Sequence, residues 1–578
     1  MESRLAKLSN LREKINSQHI ILVACILAVA YLVLIPLIML LFGSIRSAPI
    51  GEPGAHFTFK NYLDAYLSPR FFPLMGNSFL YGIGSCILTF VLGTSLAWVY
   101  ERTNTPFKKI FGVAALIPFI VPGILSTISW ILLLSPKIGL INLVLMKLFA
   151  LENPPLNIYS LPGMIWAEAI HLYPLVFMMM AASFRSMDMS LEESSTMSGA
   201  GVFGTFCRVT LPLMRPAFFS AMLIMFIRAI EAFEVPALVG LPAGIEVFTS
   251  EIYLAIHEYP SNFGLAGSLA VTLLIISSLG VYFYRRATAK EQRFATVTGK
   301  GFRPRLIDLG GFKYLVSGLC IVFFLITIGL PIFILLWSSF VPFYEVPSLA
   351  AAKTLSLKNY IFVFNFPTTM TAFKNSIFLM LTTATITMLL TSVIAWIAVK
   401  SKIKGRGMLD VLTFIPIAFP GIVLGVSLLY VYLALPIPIY GTIWILMVAY
   451  ITKYMPYGIR TTSSTIIQIS SELEEASALS GASWATTFRK ITLPLLIPGF
   501  MAGWLYIAMV SLRELSTSIL LYASGSEVLS IVVFDLWEGG QYPTLCALGI
   551  MMISLLVLLA FVANKVGARI GIRRETTH

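Results

Sequence analysis

Apolar residues run along this chain in long blocks, separated by short polar stretches. A helix needs about 20 mainly apolar residues to cross a hydrocarbon core ~30 Å thick. Twelve blocks reach that length. In the first half they cover residues 20–42, 76–100, 109–134, 161–184, 216–240 and 265–284; in the second, 314–338, 373–399, 409–433, 441–463, 497–522 and 543–566. The pattern predicts an all-α polytopic membrane protein with twelve transmembrane helices. The first block follows Arg4, Lys7, Arg12 and Lys14, as the core of a secretory signal would. Its apolar run is too long for a cleaved segment and no small-residue cleavage site follows, so a retained anchor is expected. Residues 1–19 also bring Leu5, Leu8, Leu11 and Ile15 near one helical face among basic residues, which suits a helix on the inner leaflet or a plain polar tail.

Composition agrees. Of 578 residues 58% are hydrophobic and 12% charged, and mean hydropathy is +0.87; soluble domains run near a quarter charged. The net charge of +13 is a topology signal rather than a sign of nucleic-acid binding. With the N-terminus inside, the segments facing the cytoplasm carry 27 Lys and Arg and those facing out carry 7. That asymmetry predicts two cytoplasmic termini in a bacterial inner (plasma) membrane. Cys25, Cys86, Cys207, Cys320 and Cys546 lie far apart without a CxxC pair and read as small packing residues.

The chain repeats itself. Asn61-Tyr62 and Asn77-Ser78 return 298 residues later as Asn359-Tyr360 and Asn375-Ser376, and Ile117-Pro118 with Pro122-Gly123-Ile124 return as Ile415-Pro416 with Pro420-Gly421-Ile422. Thr210-Leu211-Pro212-Leu213 returns as Thr492-Leu493-Pro494-Leu495, at an offset of 282. Six spans per unit is an even number, so the repeats are parallel, about an axis along the membrane normal. The expected organisation is a cytoplasmic segment 1–19, a six-helix repeat 20–284, a basic linker 285–313, a second repeat 314–566 and a tail 567–578. The linker's eight basic residues suit anionic lipids of the inner leaflet.

The longest cytoplasmic loop of each repeat joins its fourth and fifth spans. In the second repeat it reads Glu475-Ala476-Ser477, then Gly481, Ile491 and Leu493-Pro494; in the first, Glu193-Ser194-Ser195, then Gly199, Val209 and Leu211-Pro212, at identical spacing. Short helix, turning glycine, second short helix and a proline entering the next span make an L-shaped projection. The pattern resembles the EAA motif of ABC importer permeases, and the fused six-span units resemble the type I, binding-protein-dependent ferric-iron permease family, whose relatives serve thiamine and phosphonate. The first copy departs from it at Ser194, Ser195 and Val209. The resemblance implies docking of two ABC ATPase subunits on the two loops, delivery by a periplasmic or lipid-anchored substrate-binding protein, and ferric iron as cargo. No Gly-x4-Gly-Lys-Ser/Thr occurs, so ATP and magnesium are expected on the partner ATPases, with no catalytic site, cofactor or permanent metal on this chain. A proton- or sodium-coupled secondary transporter would explain parallel halves but not two matched EAA loops.

Charges within spans call for a cavity or a partner. Arg228, Glu231 and Glu234 are spaced by three, as on one face of the fifth span, and the eleventh carries Arg513-Glu514 with Ser516, Thr517 and Ser518. These residues read either as packing pairs or as the lining of a translocation pathway, carboxylate and hydroxyl oxygen suiting a hard cation and the arginines an anionic chelate. Glu168 and His171, one turn apart, read as a packing pair, and His257-Glu258 as solvated surface.

Overall fold

The computed structural model describes residues 17–49, 52–187, 190–294, 306–401, 405–482 and 484–569. The amphipathic segment expected before residue 17, the middle of the linker and the last residues of the tail lie outside these. Among the described residues regular structure is helical, with only isolated β-bridges besides. Nine helices among the described residues are long and apolar enough to cross a membrane, and three helix pairs are bent at a short break, which would bring the number to twelve. The expected tenth span is one continuous helix, Ile443–Gln468, though too polar to stand among the nine.

The bends correct the predicted spans. The third and ninth are broken, Lys108–Ile120 meeting Gly123–Leu134 at 101° and Arg406–Ala418 meeting Gly421–Ala434 at 110°. The repeated Pro-Gly pairs, with the residue before each, cause this. Residues ahead of a proline are pushed out of the α region, so Val121 (ψ 128°) and Phe419 (ψ 105°) are extended, and Pro122 and Pro420 follow at ψ 139° and 144°. The fifth and eleventh spans also end early. Their helices are Leu211–Ile230 and Leu493–Leu512, shifted towards the N-terminus from the predicted 216–240 and 497–522. Beyond the fifth lies the third bent pair, Pro236–Ala243 and Phe248–His257, at 82°.

The repeated Asn-Ser pair secures the segment after this break. Ser78 Oγ accepts from the Phe248 N–H at 3.0 Å and the Asn77 amide donates to the Glu246 carbonyl at 3.3 Å. In the second repeat Ser376 Oγ accepts from the Leu529 N–H at 2.8 Å and Asn375 donates to the Glu527 carbonyl at 2.9 Å.

Packing divides the chain differently from the repeats. One compact unit joins the first span to residues 368–531 and to the end of the chain from Leu555; the other joins residues 60–367 to 532–554. Within the first unit the opening helix, Ser17–Ser44, packs along Gly421–Ala434, and the Tyr31 and Tyr432 hydroxyls meet at 3.0 Å. A Cβ on Gly43 would stand 2.3 Å from the Tyr430 ring. Within the second unit the seventh span, Phe312–Phe340, lies against Gly123–Leu134 of the first repeat. The Tyr344 hydroxyl beyond it lies 3.0 Å from the carbonyls of both Leu132 and Ile138. The end of the linker is tied to the second span as well: Ile307 bridges Thr103, and the Asn104 amide donates to Asp308 at 2.6 Å. The Gly310 N–H and Asn104 hold the Asp308 carboxyl below its ordinary range.

The first span should therefore be intolerant of a side chain at residue 43. Gly43→Ala drives a methyl into a ring that is itself 1% exposed, an overpacking that should cost about 1–3 kcal/mol. The loss should be read as a lowered midpoint in thermal unfolding of the detergent-purified protein, with Gly76→Ala, which meets nothing within 4 Å, as the control.

Candidate functional site: two loops and two intramembrane junctions

Each loop between fourth and fifth spans is built as its spacing predicts. The first short helices are Ser190–Met197 and Ser471–Leu479, with Glu192 and Glu193, or Glu472 and Glu474, in the first turn, where acidic groups complement the helix dipole. Gly199 (φ +83°) and Gly481 (φ +77°) end them in the left-handed region. The Ala200 N–H then reaches back to the Ser195 carbonyl and the Ala482 N–H to that of Ser477, at 3.1 and 3.2 Å. This is a Schellman ending, which glycine forms without a steric penalty. The second arms, Val202–Thr205 and Trp484–Thr487, fold back through hydroxyl contacts, Ser195 to Thr205 at 3.0 Å and Ser477 to Thr487 at 2.8 Å. A π-turn follows in both, Phe206–Thr210 and Phe488–Thr492. Pro212 and Pro494 account for it, because a proline ring collides with the carbonyl four residues back and a wider turn relieves the collision.

Glu475, Ala476, Gly199, Gly481 and Pro494 are exposed, Glu193, Pro212 and Leu493 half-buried, and Leu211 is 36% exposed. Sequence reasoning passed over the most prominent residues. Met197 and Leu479, 282 residues apart, occupy the same corner of the two loops and are each 90% exposed. A large apolar residue at the matched last position of both short helices was the available signal.

The charged residues of the spans gather where the breaks meet. In the first repeat Gly123, His171 and Glu234 converge: a Cβ on Gly123 would lie 3.4 Å from His171 Nε2 and 3.7 Å from the Glu234 carboxyl carbon. The expected single helical face of Arg228, Glu231 and Glu234 does not exist. Arg228 is in the last turn, Glu231 caps it and Glu234 lies beyond the break, although Arg228 still pairs with Glu231 at 3.0 Å. Glu168, 4% exposed, accepts from Tyr81 at 2.9 Å.

The second repeat builds the same junction with other chemistry. A Cβ on Gly421 would stand 2.6 Å from Lys453 Nζ and 2.9 Å from the Ser516 and Thr517 hydroxyls. Lys453 meets Glu514 at 2.6 Å, and Thr517 donates to the same oxygen from its hydroxyl (2.9 Å) and its N–H (3.0 Å). Tyr454 donates to the other oxygen at 2.6 Å. Glu514 is thus held by protein donors on both oxygens, while Arg513 caps the helix beside it, half-buried. Lys453 was not singled out from the sequence; an isolated lysine inside an apolar run was its signal. Among the described residues no three His, Cys, Asp or Glu are grouped as a metal site.

Comparison with known proteins adds an independent line. The family model described as binding-protein-dependent transport system inner membrane component matches residues 90–293 and 389–572. The chain is 26% identical over 484 residues to the ferric transport system permease protein FbpB of Actinobacillus pleuropneumoniae, covering 82% of this chain and 68% of that one. It is 24% identical over 505 residues to the Fe(3+)-transport system permease protein FbpB 2 of Haemophilus influenzae, covering 86% and 90%. The spermidine/putrescine transport system permease protein PotC of Haemophilus influenzae is 29% identical over 214 residues, 37% of this chain and 82% of that one.

Glu514 is buried and Lys453 half-buried, so removing the lysine strands a buried carboxylate. Lys453→Met should destabilise the protein by about 3–5 kcal/mol, whereas the double change Lys453→Met/Glu514→Gln should recover most of that loss. Thermal unfolding of the purified variants measures both.

Proposed function

This chain belongs to the binding-protein-dependent transport system inner membrane component family, and from that premise we propose that it is the permease of an ABC importer carrying ferric iron. The observation that carries the reading is the pair of matched loops. Both are L-shaped, both turn on a left-handed glycine, and both end in a large apolar residue almost wholly exposed, Met197 or Leu479. Two equal knobs suit two ATPase subunits, one under each repeat, and these subunits hold the ATP and magnesium. The charge asymmetry of the loops supports the knobs and both termini lying on the cytoplasmic side. A substrate-binding protein delivers cargo to the opposite face, and the basic linker rests on anionic lipid. The chain itself performs transport and no hydrolysis.

Ferric iron is supported by the names of the relatives matched along most of the chain and by the chemistry of the first junction. Glu231 and Glu234, with Glu168 behind them, supply the carboxylate oxygen that a hard cation favours. Glu514, closed by Lys453, Tyr454 and Thr517, serves packing instead. Arg228 limits the net negative charge at the first junction, which suits passage without tight retention.

Complex composition, ATP turnover, ATPase retention and uptake test the reading. The complex should contain one copy of this chain and two ATPase subunits, and the isolated chain should turn over no ATP. Leu479→Asp should weaken retention of the ATPase on affinity-purified complex by about tenfold or more, as expected when a buried apolar anchor is replaced by a charge; full retention would remove the loop as the contact. Glu231→Gln/Glu234→Gln should cut uptake of radiolabelled ferric ion, again by about tenfold or more, with ATPase retention unchanged. Uptake of radiolabelled spermidine in place of ferric ion would assign the same acidic junction to a polyamine.

A further inference from the structure

The two loops share a fastening that lies outside the residues of the EAA pattern. In the first repeat the Glu192 carboxylate, 8% exposed, accepts from the Thr210 hydroxyl and stands 2.9 Å from Arg102, which is 2% exposed. Thr210 immediately precedes Leu211-Pro212 at the head of the fifth span, and Arg102 is the last residue of the second. One carboxylate thus ties the first short helix of the loop to two membrane helices. Glu474 stands 282 residues later. Its Oε1 accepts from the Thr492 hydroxyl at 2.9 Å and from the Trp396 indole N–H at 3.1 Å. Thr492 again precedes Leu-Pro, and Trp396 lies in the last turn of the eighth span.

The joint is the same in both halves while one partner differs, a guanidinium in the first and a neutral indole in the second. A cation also links neighbouring span ends in each repeat. Arg185 at the end of the fourth span pairs with Glu101 at 2.5 Å, and Lys400 donates to the Ile469 carbonyl at the end of the tenth at 2.6 Å.

We propose that Glu192 and Glu474 are positioning residues that make each loop and the adjoining spans one mechanical body, so that movement of an ATPase docked on the loop reaches the spans without slack. The proposal rests on the permease reading above. The carboxylate joint braces the loop beyond its two chain ends, one of them a π-turn, where backbone rotation could otherwise absorb a push on the loop. Coupling between distant sites needs a rigid element that both sites bias, and the joint supplies it. The two joints also differ in strength. Both carboxylates accept charge-assisted hydrogen bonds, and in the first repeat Arg102 adds an ion pair, so the first repeat holds its loop the more firmly.

Coupling and folding can be separated. Thr210→Val and Thr492→Val withdraw the shared donor and keep its shape; Glu192→Gln withdraws the charge. The full complex, purified with its ATPase subunits, is placed in liposomes with binding protein loaded with radiolabelled ferric ion, and ATP turnover and iron entry are measured together. In Thr210→Val/Thr492→Val the ATPase should stay bound and hydrolyse ATP, while iron entering per ATP falls by about 5- to 100-fold, the span of ordinary coupling energies. Thr210→Val alone should lose less than Glu192→Gln, which leaves Arg102 without its counter-charge. Arg102→Gln/Glu192→Gln withdraws both charges and replaces Glu192→Gln if that variant fails to accumulate. An unchanged ratio of iron to ATP overturns the proposal. So does a parallel fall of transport and hydrolysis with loss of the ATPase, since the joint would then only hold the loop's fold. A wild-type complex that turns over no ATP would instead overturn the permease reading on which the proposal rests.

Discussion

Hydrocarbon offers no hydrogen bonds, so a backbone that leaves the helix inside a membrane has to find its partners within the protein. The broken elements of this chain meet that demand with short polar side chains at repeated places. The Thr249 hydroxyl donates to the Ala232 carbonyl just past the break of the fifth span, and Ser530 donates to the Glu514 carbonyl past the break of the eleventh. Ser78 and Ser376 receive the N–H groups that open the following helices. These hydroxyls satisfy backbone groups that the breaks free, and helix ends and charged groups are brought together in each repeat.

What the two repeats do with that shared frame differs. The second fills its junction with a lysine and closes its glutamate on every side, a satisfied polar network of the kind that rigidifies. The first keeps three carboxylates around one arginine and a histidine, within a frame of nearly the same backbone. Duplication has thus set two different polar networks on one frame, Lys453 and Tyr454 on Glu514 in the second half and Tyr81 on Glu168 with Arg228 on Glu231 in the first. The loops differ in their own way, Glu192 holding an arginine and Glu474 a tryptophan.

Much of this was legible in the sequence. The apolar blocks, the repeat and the loop spacing needed only periodicity and turn chemistry, and Gly199 and Gly481 turn where the spacing required. The early end of the fifth span was hidden because Phe233, Val235 and the run from Ala237 to Val239 continue the apolar pattern across the break. Hydropathy registers composition, not continuity of the helix. The Pro-Gly pair was noticed as a repeat mark, while its effect, a bend of about a right angle, depends on two extended residues that no periodicity reveals. The contacts of Glu192 with Arg102, 90 positions away in the chain, and the packing of the first span lie beyond any local pattern.

That packing has a consequence for biogenesis. Tyr31 finds its hydroxyl partner 401 residues further along the chain. At a synthesis rate of about 5–20 residues per second, the opening helix waits about 20–80 s in the bilayer before its neighbours exist. In water such a wait would invite aggregation, but lipid tails solvate an apolar helix about as well as leucine side chains do. The first helix can therefore enter early and alone, and it takes its place when the second repeat arrives to receive it.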